Sequence, residues 1–234
     1  MRNAAIIFLF LLPHLLFAQS IETDRPSQTL SASVVPTGAF QWECGFSGIW
    51  TPGFGGNIQT LEMPNALFRI GLSKRLELRV EHQISRVDHR AWGDIDVLAR
   101  GTRDIQLGAK LKLFEREGKK TRMAYLGHVV APSGEEEFRG DWGMVNTLCV
   151  SHDLGSEWSL GYNLGVDLFW GSSIGTYALA VGRRIDDRLG LYFEPYGSYD
   201  MVREFHVASF DAGITFLSSD QWQWDLSYGT GLNH

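Results

Sequence analysis

The sequence predicts an all-β protein, an antiparallel transmembrane β-barrel of the outer-membrane kind. Three observations lead there: apolar and polar residues alternate with a period of two, the alternating segments are long, and an export signal precedes them. The composition agrees. The 234 residues include 26 Gly and 12% aromatics at a mean hydropathy of only −0.11, too polar for a helical membrane protein and too glycine-rich for an ordinary helical enzyme. So many aromatics exclude intrinsic disorder, and 2 Cys exclude a disulfide scaffold. With 21 Lys plus Arg against 27 Asp plus Glu, a net of −6, no clustered basic face offers itself to nucleic acid.

The first element is a signal peptide over residues 1–18. Met1, Arg2 and Asn3 make a short positive start, and Ala4 to Phe17 an apolar run of secretory length. That run is shorter than the roughly 20 residues a membrane-spanning helix needs. Cleavage after Ala18 leaves Gln19 as the terminus; Leu16 is large for the position three residues upstream, so cleavage after Ser20 stays open. Residues 19–38 then form a periplasmic N-terminal segment and 39–234 the barrel.

Each strand in turn shows one greasy and one polar face, as a pleated strand must when its two sides meet different surroundings. Phe40, Trp42, Cys44 and Phe46 alternate with Gln41, Glu43, Gly45 and Ser47. Leu76, Leu78 and Val80 alternate with Glu77, Arg79 and Glu81, and Ile105 to Leu113 alternates with Gln106, Gly108, Lys110 and Lys112. The pattern recurs at Trp158 to Leu168, Leu189 to Phe193, Phe210 to Phe216 and Trp222 to Tyr228. A soluble sandwich would bury the greasy face against a second sheet, whereas a barrel turns it to lipid and the polar face to the lumen. Segment length favours the barrel, because membrane strands need about 9 to 11 residues and soluble strands average about 5 to 6. So do Phe40, Trp42, Trp50, Trp158, Trp170, Trp222 and Trp224, which lie toward the ends of greasy faces where interfacial aromatic girdles form.

Eleven strands are countable, at 39–50, 58–71, 74–86, 102–114, 121–132, 143–153, 157–169, 174–185, 188–199, 206–217 and 221–231. Short connections alternate with longer ones at Val87 to Gly101, Ser133 to Trp142 and Asp200 to Phe205, the long side being extracellular. Bacterial single-chain barrels have even strand numbers, so the count predicts either a chain shortened by its last strand or a twelfth strand before residue 39, with Leu30 to Pro36 as the candidate.

Ile21 to Thr29, the Val35-Pro36-Thr37-Gly38 step into the first strand, Pro64-Asn65, the Arg69-Ile70-Gly71-Leu72 to Leu76-Glu77-Leu78-Arg79 hairpin, Asp104 to Lys110, Ala131 to Gly134, Asp211-Ala212-Gly213 and Gly229 to Asn233 together resemble the outer-membrane transporters named after the MetA pathway of phenol degradation. The resemblance covers nearly the whole mature chain. It implies a barrel of about twelve antiparallel strands that passes small molecules, aromatic ones among them, across the outer membrane of a Gram-negative cell.

By parity the lumen receives Glu43, Arg75, Glu77, Arg79, Glu81, Asp104, Lys110, Lys112, Asp167, Glu194, Asp211 and Asp225. These charges either line a solute path or form a lattice of ion pairs that fills a narrow barrel. Glu22, Asp24 and Arg25 either plug the periplasmic mouth or belong to a solvated tail. The loop from Ser133 to Asp141, with Glu135, Glu136 and Glu137, either offers carboxylates to a divalent cation or is a solvated acidic loop, the latter favoured because it lacks an EF-hand pattern. Cys44 faces lipid and Cys149 sits on a distant strand with Thr147 and Ser151, too far apart for a disulfide. His82, His89, His128, His152 and His206 fall in no metalloprotease pattern and pair with no nucleophilic serine by sequence. The expectation is a passive channel for small solutes that carries no metal or cofactor. Its partners would be the bilayer, lipopolysaccharide, the outer-membrane assembly machinery and an unidentified solute. A structural or adhesion barrel with a filled lumen is the second reading, and a lipid-modifying enzyme the third.

Overall fold

The computed structural model describes residues 21–25, 27–53, 55–91, 94–115, 120–233. The signal peptide and its cleavage site lie outside them. The described residues form one antiparallel sheet and no helix. Its strands are β1 (Phe40–Gly53), β2 (Gly56–Ser73), β3 (Leu76–Ala91), β4 (Asp94–Thr102), β5 (Ile105–Glu115), β6 (Thr121–Ala131), β7 (Gly143–Gly155), β8 (Trp158–Phe169), β9 (Ser172–Arg184), β10 (Leu189–Asp200), β11 (Phe205–Ser219) and β12 (Trp222–Gly231).

Neighbours in sequence pair, with one exception. β3 holds β4 along its outer half, from Ile84↔Thr102 to Ala91↔Asp94, and β5 along its inner half, from Leu76↔Leu111 to Glu81↔Gln106. β4 and β5 therefore run in one direction beside the same strand, a single passage interrupted at Arg103-Asp104. Counted as passages, the strands number eleven. The expected long loop from Val87 to Gly101 is corrected: it is the tip of the β3–β4 hairpin. Leu30 to Pro36 is not a strand either, because its backbone bonds to side chains in the lumen and joins no ladder. β1 and β12 end the hydrogen-bonded order, and no register links them among the described residues.

The alternation read from the sequence sorts the two faces. Phe40, Trp42, Phe46, Trp158, Leu164, Trp222, Trp224 and Leu226 are exposed on the outer face, while Glu43, Glu77, Arg79, Lys110, Glu194 and Asp211 are buried on the inner one. Trp42 and Phe68 stack across β1 and β2 with ring centroids 6.2 Å apart and planes 4° off parallel. This inversion, charges within and apolar side chains without, is the reverse of a soluble core. The inner apolar cluster is small: Ala32 against Ala124, Leu126 and Cys149, with Leu30 beside them. Cys149 is thus a buried lumen residue, and Cys44 is exposed on the opposite face of β1.

Residues 21–25 and 27–38 run as a loop inside the sheet. Ile21 N–H donates to Asp220 O beside the β11–β12 turn, the tip at Gln28 and Thr29 reaches the middle of β10, and the chain returns to Gly38, whose N–H donates to Gly71 O. Gly71 is required at that exit. A Cβ there would lie 2.1 Å from Pro36 O and 2.4 Å from Val35 O, a clash with backbone that no rotamer relieves.

Candidate functional site

Six side chains from the N-terminal segment, β1, β2, β3 and β5 meet in the lumen: Asp24, Glu43, Arg69, Glu77, Arg79 and Lys110, none more than 6% exposed. Three carboxylates and three cations make the group neutral. Asp24 lies between the strands. Its Oδ2 accepts from Arg79 Nη1 at 2.5 Å and Lys110 Nζ at 2.6 Å, with Arg69 Nη1 at 3.7 Å, and its Oδ1 accepts the backbone N–H of Ser31. Arg69 bridges the wall by donating Nη1 to Glu43 Oε1 at 2.9 Å and both Nε and Nη2 to Glu77 at 3.0 Å. Burial pushes the Asp24 carboxyl up, but the charges of Arg69, Lys110 and Arg79 outweigh it and hold the group well below the usual carboxylate range.

The wall also binds the segment's backbone. Glu43 Oε2 accepts the N–H groups of Asp24 and Arg25, Glu77 Oε2 that of Val35, Glu194 those of Gln28 and Thr29, and Asn163 Oδ1 that of Leu30. Ala32 N–H donates to Ser151 Oγ, and Gln223 Nε2 donates to Thr23 Oγ1. A loop without a ladder must find its backbone partners elsewhere, and here strand side chains supply them. Glu22 lies nearer the end that carries the short turns, accepting from Ser31 Oγ, Ser33 Oγ and Arg122 Nη1.

The residues expected in the lumen separate into groups. Glu43, Glu77, Arg79 and Lys110 join Asp24 in the network, with Glu81 at its edge, 3.8 Å from Arg79 Nη2. Lys112 pairs with Glu115 near the end of β5 at 2.6 Å. Glu194, Asp211, Asp167 and Asp225 line the β8–β12 wall, and no Lys or Arg among the described residues comes within 4.0 Å of their carboxylates. Two placements are corrected. Arg75 is exposed in the β2–β3 turn, where the chain reverses before side chains can point inward. Asp104 sits at the break between β4 and β5 and faces the outer loop, accepting the N–H groups of Ser133, Gly134 and Gly140. It folds the acidic loop down, so that Glu135 N–H reaches Thr102 O and Arg103 stacks over Phe138.

Arg69 was not foreseen. β2 breaks its period at a register shift between Glu62 and Asn65, so parity counted across the strand assigns no inward face to Arg69. The histidines have structural settings: His128 lies buried over Gly108, where a Cβ would meet its ring at 1.7 Å, His152 bonds Thr121 Oγ1, and His206 bonds the Tyr177 hydroxyl.

The family model described as "Putative MetA-pathway of phenol degradation" matches residues 23–234. The fold is similar to the crystal structure of an outer membrane channel from Pseudomonas putida F1, with a TM-score of 0.65 and 14% identity over 86% of this chain and 90% of that one. Among curated proteins none matches the sequence. The family match spans every strand and the lumen segment from Thr23 onward, and on it the chain belongs to the MetA-pathway of phenol degradation family.

Proposed function

We propose that this protein is a passive outer-membrane channel for small solutes, aromatic or hydrophobic ones among them, and that residues 21–38 form its constriction. The observation that carries the reading is how the segment is held: its ends bond to backbone at Asp220 and Gly71, but from Asp24 to Val35 the strand-side partners of its N–H groups are side chains, and none of these is a ladder bond that sheet formation would lock. A segment so held narrows the lumen, since it spans from the β1–β5 charges to Asn163 on β8, Glu194 on β10 and Gln223 on β12. The apolar outer face fits a bilayer with lipopolysaccharide, reached through the outer-membrane assembly machinery. The similarity of the fold to the outer membrane channel of Pseudomonas putida F1 supports the same assignment.

The second reading, a structural or adhesion barrel, is favoured by the neutral six-residue network buried in the lumen. Planar-bilayer conductance of the purified protein with a panel of small solutes separates the two. The channel reading expects a small conductance that solutes reduce in a size-dependent way. Absence of conductance, together with unchanged solute uptake in cells lacking the gene, would establish the structural reading instead.

A further inference from the structure

The outward face of β3, opposite Glu77 and Arg79, is apolar at Leu78, Val80 and Ile84 and then turns charged at Arg86, Asp88 and Arg90. From Leu76 to Arg86 the strand climbs about ten residues, roughly 34 Å along its axis and about 25 Å along the membrane normal at a tilt near 40°, the height of the apolar band of an outer-membrane barrel. Arg86 therefore stands where the acyl chains of the outer leaflet meet their head groups. Trp50, exposed on β1 and in register with Gln59 and through it with Asp88, marks the same boundary.

Three arginines gather there around one carboxylate. Arg86 Nε donates to Asp88 Oδ1 at 2.8 Å, Arg90 Nη2 lies 4.0 Å from Asp88 Oδ2, and Arg100 on β4 is directly opposed to Arg86. The side chains of Arg86 and Arg90 are 39% and 44% exposed, with Asp88 buried between them at 1%. Like charges opposed across a ladder repel, and Arg100 has no carboxylate within 4.0 Å among the described residues. Asp94 and Asp96 do not offset the excess, because they oppose Ala91 and His89, which alternate to the other face. Two positive charges are left over.

A separate observation concerns acceptors. Asp88 and Gln59 oppose each other across β2 and β3, 1% and 6% exposed, and neither Asp88 Oδ2 nor Gln59 Oε1 has a hydrogen-bond partner. Buried oxygens left bare mark a missing donor. The occupant of this place carries an anionic group for the arginines and hydrogen-bond donors for the two oxygens.

We propose that Arg86, Arg90 and Arg100, with Asp88 and Gln59, bind the head group of a lipopolysaccharide molecule in the outer leaflet. Its phosphates take the guanidinium forks, which match phosphate oxygens in pairs. Hydroxyl and amide groups of its glucosamine units donate to Asp88 and Gln59, and its acyl chains lie along Ile84 and Met63, both exposed below the arginines. The site rests on the outer-membrane placement of the proposed channel and not on conduction.

The test is native mass spectrometry of the full-length protein released from detergent micelles, with three probes: bisphosphorylated lipid A, the same lipid stripped of phosphate, and phosphatidylglycerol. The site expects one lipid A per chain, held at least tenfold more tightly than either control and weakened at least tenfold in Arg100→Gln. That variant keeps the Arg86–Asp88 contact, and heat-modifiable gel mobility checks its fold. Equal retention of either control lipid, stoichiometric binding of inorganic phosphate on its own, or an unchanged Arg100→Gln overturns the proposal. Conductance of the same samples keeps the two readings apart: lipid A binding without conductance removes the channel and leaves the site, whereas conductance without binding removes only the site.

Discussion

Asp24 is the residue on which the lumen network turns. Replacing it with Asn preserves shape but leaves three buried cations facing two carboxylates, and an uncompensated buried charge costs about 3 to 5 kcal/mol. That cost falls on the seating of residues 21–38 rather than on the ladder, so Asp24→Asn should release the segment. Limited proteolysis should cut it where the wild type resists, and conductance should rise; wild-type resistance would show the segment to be held by its backbone bonds alone. The pH response has a definite sign. The Asp24 carboxyl is depressed in the folded state, so its contribution is full above the unfolded value of about 3.9 and is lost only as pH falls through the lower folded value. Through this group conductance should therefore be flat from pH 8 to about 5 and rise only in strong acid. Four of the six network residues were legible from strict alternation: Glu43, Glu77, Arg79 and Lys110. Asp24 was legible as a residue that could plug the lumen, but which cations it meets was not, because it lies 55 and 86 residues away from Arg79 and Lys110 and only the path of the N-terminal segment inside the curved sheet joins them.

At the level of elements, turns and the exit of the segment are where sequence and backbone constrain each other. The β7–β8 hairpin closes on Ser156 and Glu157 with φ of 49° and 70°, a two-residue turn with both central residues left-handed, where Asn-Gly is favoured. Glu157→Gly should stabilise the hairpin by about 1 kcal/mol, more than is lost with its exposed ion pair to Arg184. A higher urea midpoint for unfolding from micelles would show this, and an unchanged or lower one would count against it. Gly71→Ala should act in the opposite direction, forcing the Val35-Pro36 backbone off β2 at about 1 to 3 kcal/mol, with protease access to the segment as the readout. The positions of the eleven passages were readable because lipid and lumen demand opposite side chains at successive residues. β4 was missed because register shifts between Val87 and Asp88 and the break at Arg103-Asp104 interrupt the period, and an alternating segment cut in this way reads as loop.

For the whole molecule the question is what the outer face meets. Leu164 is central in β8 and 59% exposed, with Asn163 beside it turned inward to Leu30. On a soluble protein, a surface Leu→Arg change away from special features shifts stability by no more than about 0.5 kcal/mol. In a bilayer the same change at mid-depth costs about 2 to 4 kcal/mol, falling toward zero near the interfaces. Leu164→Arg should therefore cut folding into liposomes sharply, while Trp170→Arg, at the outer tip of the β8–β9 hairpin, should cost much less. Equal and small effects at both sites in a urea titration would mean that the apolar face is covered by protein rather than lipid, and the barrel reading would have to be given up. The depth dependence matters more than either value, because a protein partner covering the face has no reason to weight the strand centre over its end and a bilayer does.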